Sequence, residues 1–308
     1  MILRANVDNL MQAGLDEVLF EPWENKPPDQ VIQAVFNMGA DTHKSRKEQI
    51  IQGYGMLTEK PEGEAFTSAD PAEAWDTTLE HIAYGVYSTI SHEARQDERY
   101  GIIKQFPTVM REATEATINY YASRVFSQWF TTLPEWQTSN RSTTEYLFDT
   151  HTMKNGETQA NEPSAAVDLT ATSLWAAVDT FYEMKNEAGL PWTVPPKMLL
   201  LPHQLQRKGI ELTDSKLYPE DAQNAINALK IAHKIEPVIW PYWLGSVDPD
   251  AWYLLADKPN HKVKFLWRQK PETSMDLEKL TKNLLYFLYC RFSTGWVDYK
   301  GTYGSPGA

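Results

Sequence analysis

Two runs of strand-forming residues, QIIQGYGMLT at 49–58 and LEHIAYGVYSTI at 79–90, are separated by a stretch, EKPEGEAFTSADPAEAWDTT, that a closed compact domain has no place for. In the second run Ile82, Tyr84, Val86 and Ile90 share one face at period two, the pattern of a strand with one buried side. The intervening stretch is punctuated by Pro61, Gly63 and Pro71. It carries Glu59, Glu62, Glu64, Asp70 and Glu73 against the single cation Lys60. A structureless connection of about 20 residues inside a domain argues against that domain closing on itself. Read as a hairpin over 49–92, the unit reaches roughly 35–40 Å at ~3.3 Å per residue. A lone two-stranded ribbon is marginal in water, and its open edges invite other chains. Neighbouring copies of the same chain are the expected partners, since closed symmetric assembly is how soluble homo-oligomers satisfy such surfaces.

The rest of the chain reads as an α+β protein. Residues 1–48 form an N-terminal arm with short helical patterns near 5–19 and 28–38, interrupted by Pro22, Pro27 and Pro28, since proline removes a helix donor and clashes with the preceding turn. Residues 93–163 hold a short helix near 98–105 and a long one from Pro107 to Phe130, with Pro107 suited to the first turn. Phe106, Val109, Ala113, Ala116 and Tyr120 define its expected inner face, extended by Tyr121, Val125 and Trp129. Polar loop and short strands follow over 135–168. A module over 164–270 begins with a helix at 170–186, closed by a left-handed cap at Gly189. Strands at 197–201, 236–242, 251–256 and 262–268 follow, with helices at 203–212 and 220–232. Residues 283–297 read as a strand apolar on both faces and therefore buried. The tail to 308 reads as turns.

Composition excludes more than it selects. The net charge is −12, and Lys and Arg form no basic block. Tight nucleic-acid binding needs many phosphate-neutralising cations, so this chain is a poor candidate for it and any nucleic acid is expected to be contacted only weakly and non-specifically. The single cysteine, Cys290, permits no intramolecular disulfide framework and fits a buried apolar role in a reducing compartment. No signal peptide or membrane span is expected. The 11 Trp and 15 Tyr suit either large contact surfaces or a large core.

No motif carries catalysis. Asp149 and His151 lack the further ligands a metal needs, and His81, His92, His203, His233 and His261 are scattered singly. Gly53-Tyr-Gly55 lacks the third glycine and following helix of a nucleotide loop. Asp248-Pro-Asp250 reads as a turn. Trp240-Pro-Tyr-Trp243 reads as packing rather than a stacking site. Neither a catalytic site, a cofactor nor a metal is expected.

Six strings, in order and at fitting spacing, resemble the major capsid proteins of tailed bacteriophages, the Hong Kong 97-type fold. EKPEGEAF (59–66), followed by Trp75, is similar to the tip of that family's extended E-loop. ERYGIIKQFPTVMREAT (98–114) resembles the start of the spine helix of its peripheral (P) domain, and LFDTH (147–151) the segment after that helix. GLPWTVPPKMLLLPHQL (189–205) resembles the helix–strand–helix centre of its axial (A) domain. DPDAWYLLADKPN (248–260) and GWVDYKGTYGSPGA (295–308) resemble its last A-domain strands and closing segment. The likeness spans 49–308. It departs at Leu201-Pro202-His203, where relatives often carry a proline pair.

The resemblance implies a major capsid protein, not an enzyme, assembling with itself as hexamers and pentamers into an icosahedral head around double-stranded DNA. It implies a location in the virion, after assembly in the host cytoplasm, with portal, scaffolding and decoration proteins as further partners. Its layout is an N-terminal arm (1–48), E-loop hairpin (49–92), P-domain (93–163), A-domain (164–270) and a strand and tail returning to the P-domain (271–308). Glu59, Lys60, Glu62, Glu64, Phe66 and Trp75 are the implied contacts with a neighbouring subunit. An encapsulin-type nanocompartment shell, which shares the fold, and a soluble α+β enzyme are the alternatives.

Overall fold

The computed structural model describes residues 4–25, 30–68, 72–97, 101, 103, 105–128, 130–131, 135–141, 145–216 and 226–308. The chain begins with helices α1 (Arg4–Asn25) and α2 (Gln30–Val35) and strands β1 (Asn37–Ala40), β2 (Ser45–Ile51), β3 (Glu73–Glu80) and β4 (Ile82–Ile90). Helices α3 (His92–Asp97) and α4 (Gln105–Ser127) follow, then short strands β5 (Gln137–Ser139), β6 (Thr150–Thr152) and β7 (Thr158–Ala160). Next come α5 (Ala171–Glu183), β8 (Pro196–Pro202), α6 (Gln206–Asp214), α7 (Ala228–Ala232), β9 (Glu236–Trp240) and β10 (Trp252–Ala256). The chain closes with β11 (Val263–Leu277), β12 (Leu284–Trp296) and β13 (Thr302–Ser305).

Three sheets organise the molecule. The long sheet runs β1-β11-β12-β4, the body sheet β13-β10-β8-β9, and the arm sheet β2-β3-β5; β6 and β7 pair separately. The body sheet is buried on both faces, which is why its strands read as unbroken apolar runs. Leu200, Tyr253 and Leu255 face one core, shared with Ile118, Val125 and Phe126 of α4 and with Phe265 and Phe292 of the long sheet. Leu199, Leu201, Trp252 and Leu254 face the other, filled by Leu174, Val178 and Phe181 of α5. That helix starts at a reciprocal cap: Ser173 N donates to Thr170 Oγ1 at 3.1 Å and Thr170 N donates to Ser173 Oγ at 2.8 Å, satisfying two otherwise orphaned donors.

Several sequence expectations are corrected. The ribbon is β2 paired with β3, not 49–58 with 79–90. The first strand ends at Ile51, and Gly53 at φ 78° turns the chain out of the ladder. The second run is cut at His81: β3 stays in the arm, whereas β4 crosses to the long sheet and pairs with β12. The first helix of the N-terminal arm is longer than expected, since α1 continues through Pro22; the second is the short α2, and strands β1 and β2 follow it. Helix α1 packs on its own chain, with Leu15 and Leu19 buried against Met110, Leu284 and Tyr286. Proline at 22 leaves the carbonyl of Val18 without its helical donor, and Arg111 Nη1 of α4 donates to it at 3.3 Å. Trp23 Nε1 donates to Glu115 Oε1 at 2.6 Å on the same face.

The spine helix α4 lies where expected, but its inner face is Pro107, Met110, Thr114, Ile118, Ala122, Val125 and Phe126. Val109 is 61% exposed, and Ala113 and Tyr120 also face outward. Much of the short helix expected at 98–105, together with Trp129, lies outside the described residues. In the body, α5 stops at Glu183 and Gly189, at φ 84°, closes a later turn instead. Of the helix expected at 220–232, residues 220–225 lie outside the described residues and α7 covers the end.

The strand expected at 262–268 runs on to Leu277, pairing with β12 almost throughout. Strand β12 is buried on every position only over 292–296; before that, burial alternates. The tail is not a string of turns. Residues 297–305 are buried and β13 pairs with β10, so the chain finishes in the body sheet rather than with the long sheet.

Candidate assembly surfaces and the root of the arm

The projecting part is the loop 52–68 beyond the β2–β3 ribbon. Met56 is 85%, Leu57 93% and Phe66 84% exposed, and Glu59, Lys60, Glu62 and Glu64 are exposed with them. Within the loop the ammonium of Lys60 lies 4.9 Å from the centre of the Phe66 ring. Asp70 and Pro71 fall outside the described residues. Soluble chains rarely leave such apolar side chains clustered in water unless another surface covers them.

Trp75 is the exception among the residues singled out from sequence, because its own chain holds it. Its Nε1 donates to Glu187 Oε2 at 3.2 Å. The Lys154 ammonium lies 4.1 Å from the centre of its ring system and the Arg141 guanidinium 5.3 Å away, an arrangement favoured by the ring quadrupole. Glu187 is buried and also accepts from Arg141 Nη2 and Lys300 Nζ, both at 2.7 Å, and from the Lys154 backbone N–H at 3.0 Å. Lys300 reaches Asp298 as well, 3.1 Å from both carboxylate oxygens. Burial would raise the Glu187 carboxyl, but the Lys300 ammonium and Arg141 outweigh it and hold it below the usual carboxylate range. Burial acts likewise on Asp298, and Lys300 again prevails.

This cluster joins five segments: the arm (Trp75), the residues after β5 (Arg141), the β6–β7 turn (Lys154), the turn after α5 (Glu187) and the tail (Asp298, Lys300). His151 sits beside it, stacked on Tyr299 at 3.8 Å between ring centres. Burial pushes His151 down, towards the neutral ring. Sequence reasoning missed the cluster because its members have no common motif.

The arm is fixed at two more points. Gln137 of β5 exchanges hydrogen bonds with the backbone of Trp296, at 3.0 and 3.1 Å. Leu79 of β3 lies so close to β12 that a Cβ on Gly295 would sit 2.3 Å from it. The arm is therefore rooted in the body while its tip stands free.

Ser293, His81 and Asp41 carry the residue types of a hydrolytic triad. Ser293 Oγ is 2.9 Å from His81 Nδ1, and His81 Nε2 is 3.8 Å from Asp41 Oδ2. Ser293 and His81 are both buried, so the serine is out of reach of a substrate, and the three tie the β3–β4 junction to β12. Among the described residues no group of three or more His, Cys, Asp or Glu side chains is placed to hold a metal ion. Among the same residues no helix is long and apolar enough to cross a membrane. Trp240 is core, donating from Nε1 to Asn119 Oδ1 at 3.2 Å.

No family model matches the sequence, and no curated protein does. Solved structures do match along nearly the whole chain. One is from Microbacterium phage Oxtober96, at 12% identity and TM-score 0.53, covering 91% of both chains. Another is the capsid of an empty GTA particle, at 11% identity and TM-score 0.58, covering 90% of both. A third is the capsid of Cyanophage P-SCSP1u, at 12% identity and TM-score 0.56, covering 89% of this chain and 86% of the other.

The chain has the Hong Kong 97-type capsid fold.

That fold is a mixed α+β architecture of several sheets and few helices, as found here. The fold is shared with these neighbours although only about a tenth of the residues are identical.

Proposed function

We propose that this chain is the major capsid protein of a tailed bacteriophage, self-assembling as hexamers and pentamers into an icosahedral head around double-stranded DNA. The observation that carries this is the free tip of a rooted arm. Met56, Leu57 and Phe66 stand in water on a ribbon whose base is held by Trp75, Leu79 and Gln137. Such a tip is satisfied by a neighbouring copy, and many weak repeated contacts sum to a stable shell. Glu59, Lys60, Glu62, Glu64 and Phe66 are proposed to touch that neighbour directly. Trp75 is proposed to serve the contact by fixing the arm from which they project.

The acidic net charge, −12, fits an inner wall that DNA slides along without sticking. The reading assigns no catalytic step to the chain and places it in the virion after assembly in the host cytoplasm. Portal, scaffolding and decoration proteins are the further partners it implies. Negative-stain microscopy of the purified protein tests it: closed shells of uniform diameter are expected. Limited proteolysis gives a second readout, with cleavage over 53–68, the exposed loop, in free subunits and protection in particles; equal protection in both would sink the proposal.

A further inference from the structure

Strand β11 leaves its ladder with β12 twice. The register shifts between Trp267 and Gln269, and again between Gln269 and Glu272. Trp267 and Gln269 face Phe292 and Arg291, which are adjacent, so Arg268 is the residue carried out of the first bulge. Bulges bend a strand and re-aim its side chains, and they are common beside functional sites. Arg291 stands across the ladder from the same bulge. Two guanidinium groups are thereby set on neighbouring strands, with the exposed Lys270 next along β11.

Among the described residues neither arginine forms an ion pair with a carboxylate. The Nε of Arg268 is buried and has no hydrogen-bond partner. Arg291 donates from Nε to the carbonyl oxygen of His81 at 3.2 Å, a neutral acceptor. The acids of this region have partners of their own. Asp41 accepts from His43, at 2.9 Å from its backbone N–H and 3.0 Å from Nδ1. Glu80 acts on Arg291 only from a distance and is bound by Lys44 at 2.8 Å. Glu272 accepts from Gln269.

His81 is not an anion and does not relieve the pair. Burial pushes its ring below the ordinary value, and Arg291 and Arg268 add to that effect against the pull of Asp41. Like charges set side by side and partly withdrawn from water are costly unless an anion answers them. A planar guanidinium presents parallel N–H groups that match two oxygens of a phosphate. The net charge of −12 does not forbid such an anion here. Screening limits the reach of an exposed charge to about 10 Å at 0.1 M salt, so the local sign prevails over the net one.

We infer that Arg268 and Arg291 form a binding site for a phosphate group at the first bulge of β11. The group is supplied by inorganic phosphate or by a phosphodiester of the enclosed DNA, and only the second source rests on the shell reading. A phosphate held by both arginines bridges β11 and β12 where their ladder is interrupted. A backbone phosphate so held carries no sequence information.

The test follows urea unfolding of the dilute free subunit while sodium phosphate replaces sodium chloride at constant ionic strength. A ligand of the folded state raises the midpoint by mass action. The unaltered chain is expected to gain stability saturably, and Arg268→Gln and Arg291→Gln to lose the saturable gain. Arg268→Lys keeps the charge without the fork and should retain part of it; this variant carries the comparison if glutamine unfolds the chain. A gain equal in all chains is the general effect of an excluded salt and overturns the inference, as does no gain in any. A fluorescein-labelled DNA duplex followed by anisotropy separates the two sources. A phosphodiester site predicts binding weakened about tenfold by either glutamine variant, with the salt slope reduced by about one. Duplex binding unmoved by both variants, with the phosphate gain still lost, assigns the site to the free ion. Normal shells without a phosphate gain overturn the site alone, whereas absence of shells from the unaltered chain overturns the shell reading and leaves the phosphate result standing.

Discussion

Trp75 and Glu187 stand 112 positions apart in the chain, and the indole N–H of one donates to the carboxylate of the other at 3.2 Å. This bond sets the arm's root against the body. Trp75→Phe keeps the ring between Lys154 and Arg141 and removes only the hydrogen bond, for an expected loss of about 1 kcal/mol. Trp75→Ala removes the ring as well and is expected to cost about 3 kcal/mol or more. Urea denaturation of the free subunit measures both, and equal effects would mean that the ring's packing contributes nothing.

Glu187→Ala is expected to be more damaging still. It leaves Arg141 and Lys300 buried with one carboxylate partner fewer, and breaking a buried pair from one side costs roughly 3–5 kcal/mol. Asp298 compensates only in part, since it contacts Lys300 and not Glu187's other donors. A midpoint shift in the same urea series, larger than that of Trp75→Phe, is the readout.

Acid should weaken the fold through His261, which burial pushes down to about 4. Above pH 6.5 the ring is neutral folded or unfolded. Below it the unfolded chain takes up the proton first, so stability falls as pH drops from 6.5 towards 4, by up to about 3 kcal/mol. Denaturation of His261→Asn at pH 7 and pH 4.5 should lose less between the two pH values than the unaltered chain does; identical losses would contradict the assignment.

Glu162 works in the opposite sense. Burial, with the nearby charge of Asp149, raises its carboxyl to about 7. The folded chain therefore holds a proton the unfolded chain has released between pH 4.5 and 7, and stability declines as pH rises through that window. Glu162→Gln should be more stable than the unaltered chain at pH 8, by the order of 1 kcal/mol once solvent screening of a half-exposed group is allowed for. Near pH 4 the two should coincide.

Gly295→Ala should loosen the arm, because the added methyl would lie 2.3 Å from the Leu79 side chain. Overpacking of this kind costs about 1–3 kcal/mol. Hydrogen exchange should rise in β3 more than in β10, which the substitution does not touch; uniform change across both would assign the effect to the whole fold instead.

The sequence revealed element order better than it revealed faces. Helix α4 was placed by its length and by Pro107, but Ala, Thr and Tyr occur on both sides of it, so the stripe through Val109 and Tyr120 looked as apolar as the true one through Met110 and Ile118. The far half of β11 was missed because QKPETSMDL is polar and contains Pro271; one side of that stretch faces solvent, and its partner β12 supplies the pairing. The tail KGTYGSPGA has a turn's composition, yet its glycines permit close packing: a Cβ on Gly304 would lie 2.8 Å from Phe148. The exposed loop residues were legible as a group, from their acids and prolines. The cluster at Glu187 was not, because no local pattern joins residues 75, 141, 187 and 300.

One consequence follows from the long sheet. Its parallel edge pairs Asn37 with Lys264 and its antiparallel edge pairs Ile90 with Leu284, so the first contact cannot exist before residue 264 is made, nor the second before residue 284. High contact order slows folding, and the early-made strands must wait with their edges open, a state prone to aggregation. Production of this subunit should therefore be governed by how well the half-made chain is shielded, and chaperone supply should limit its yield before translation does.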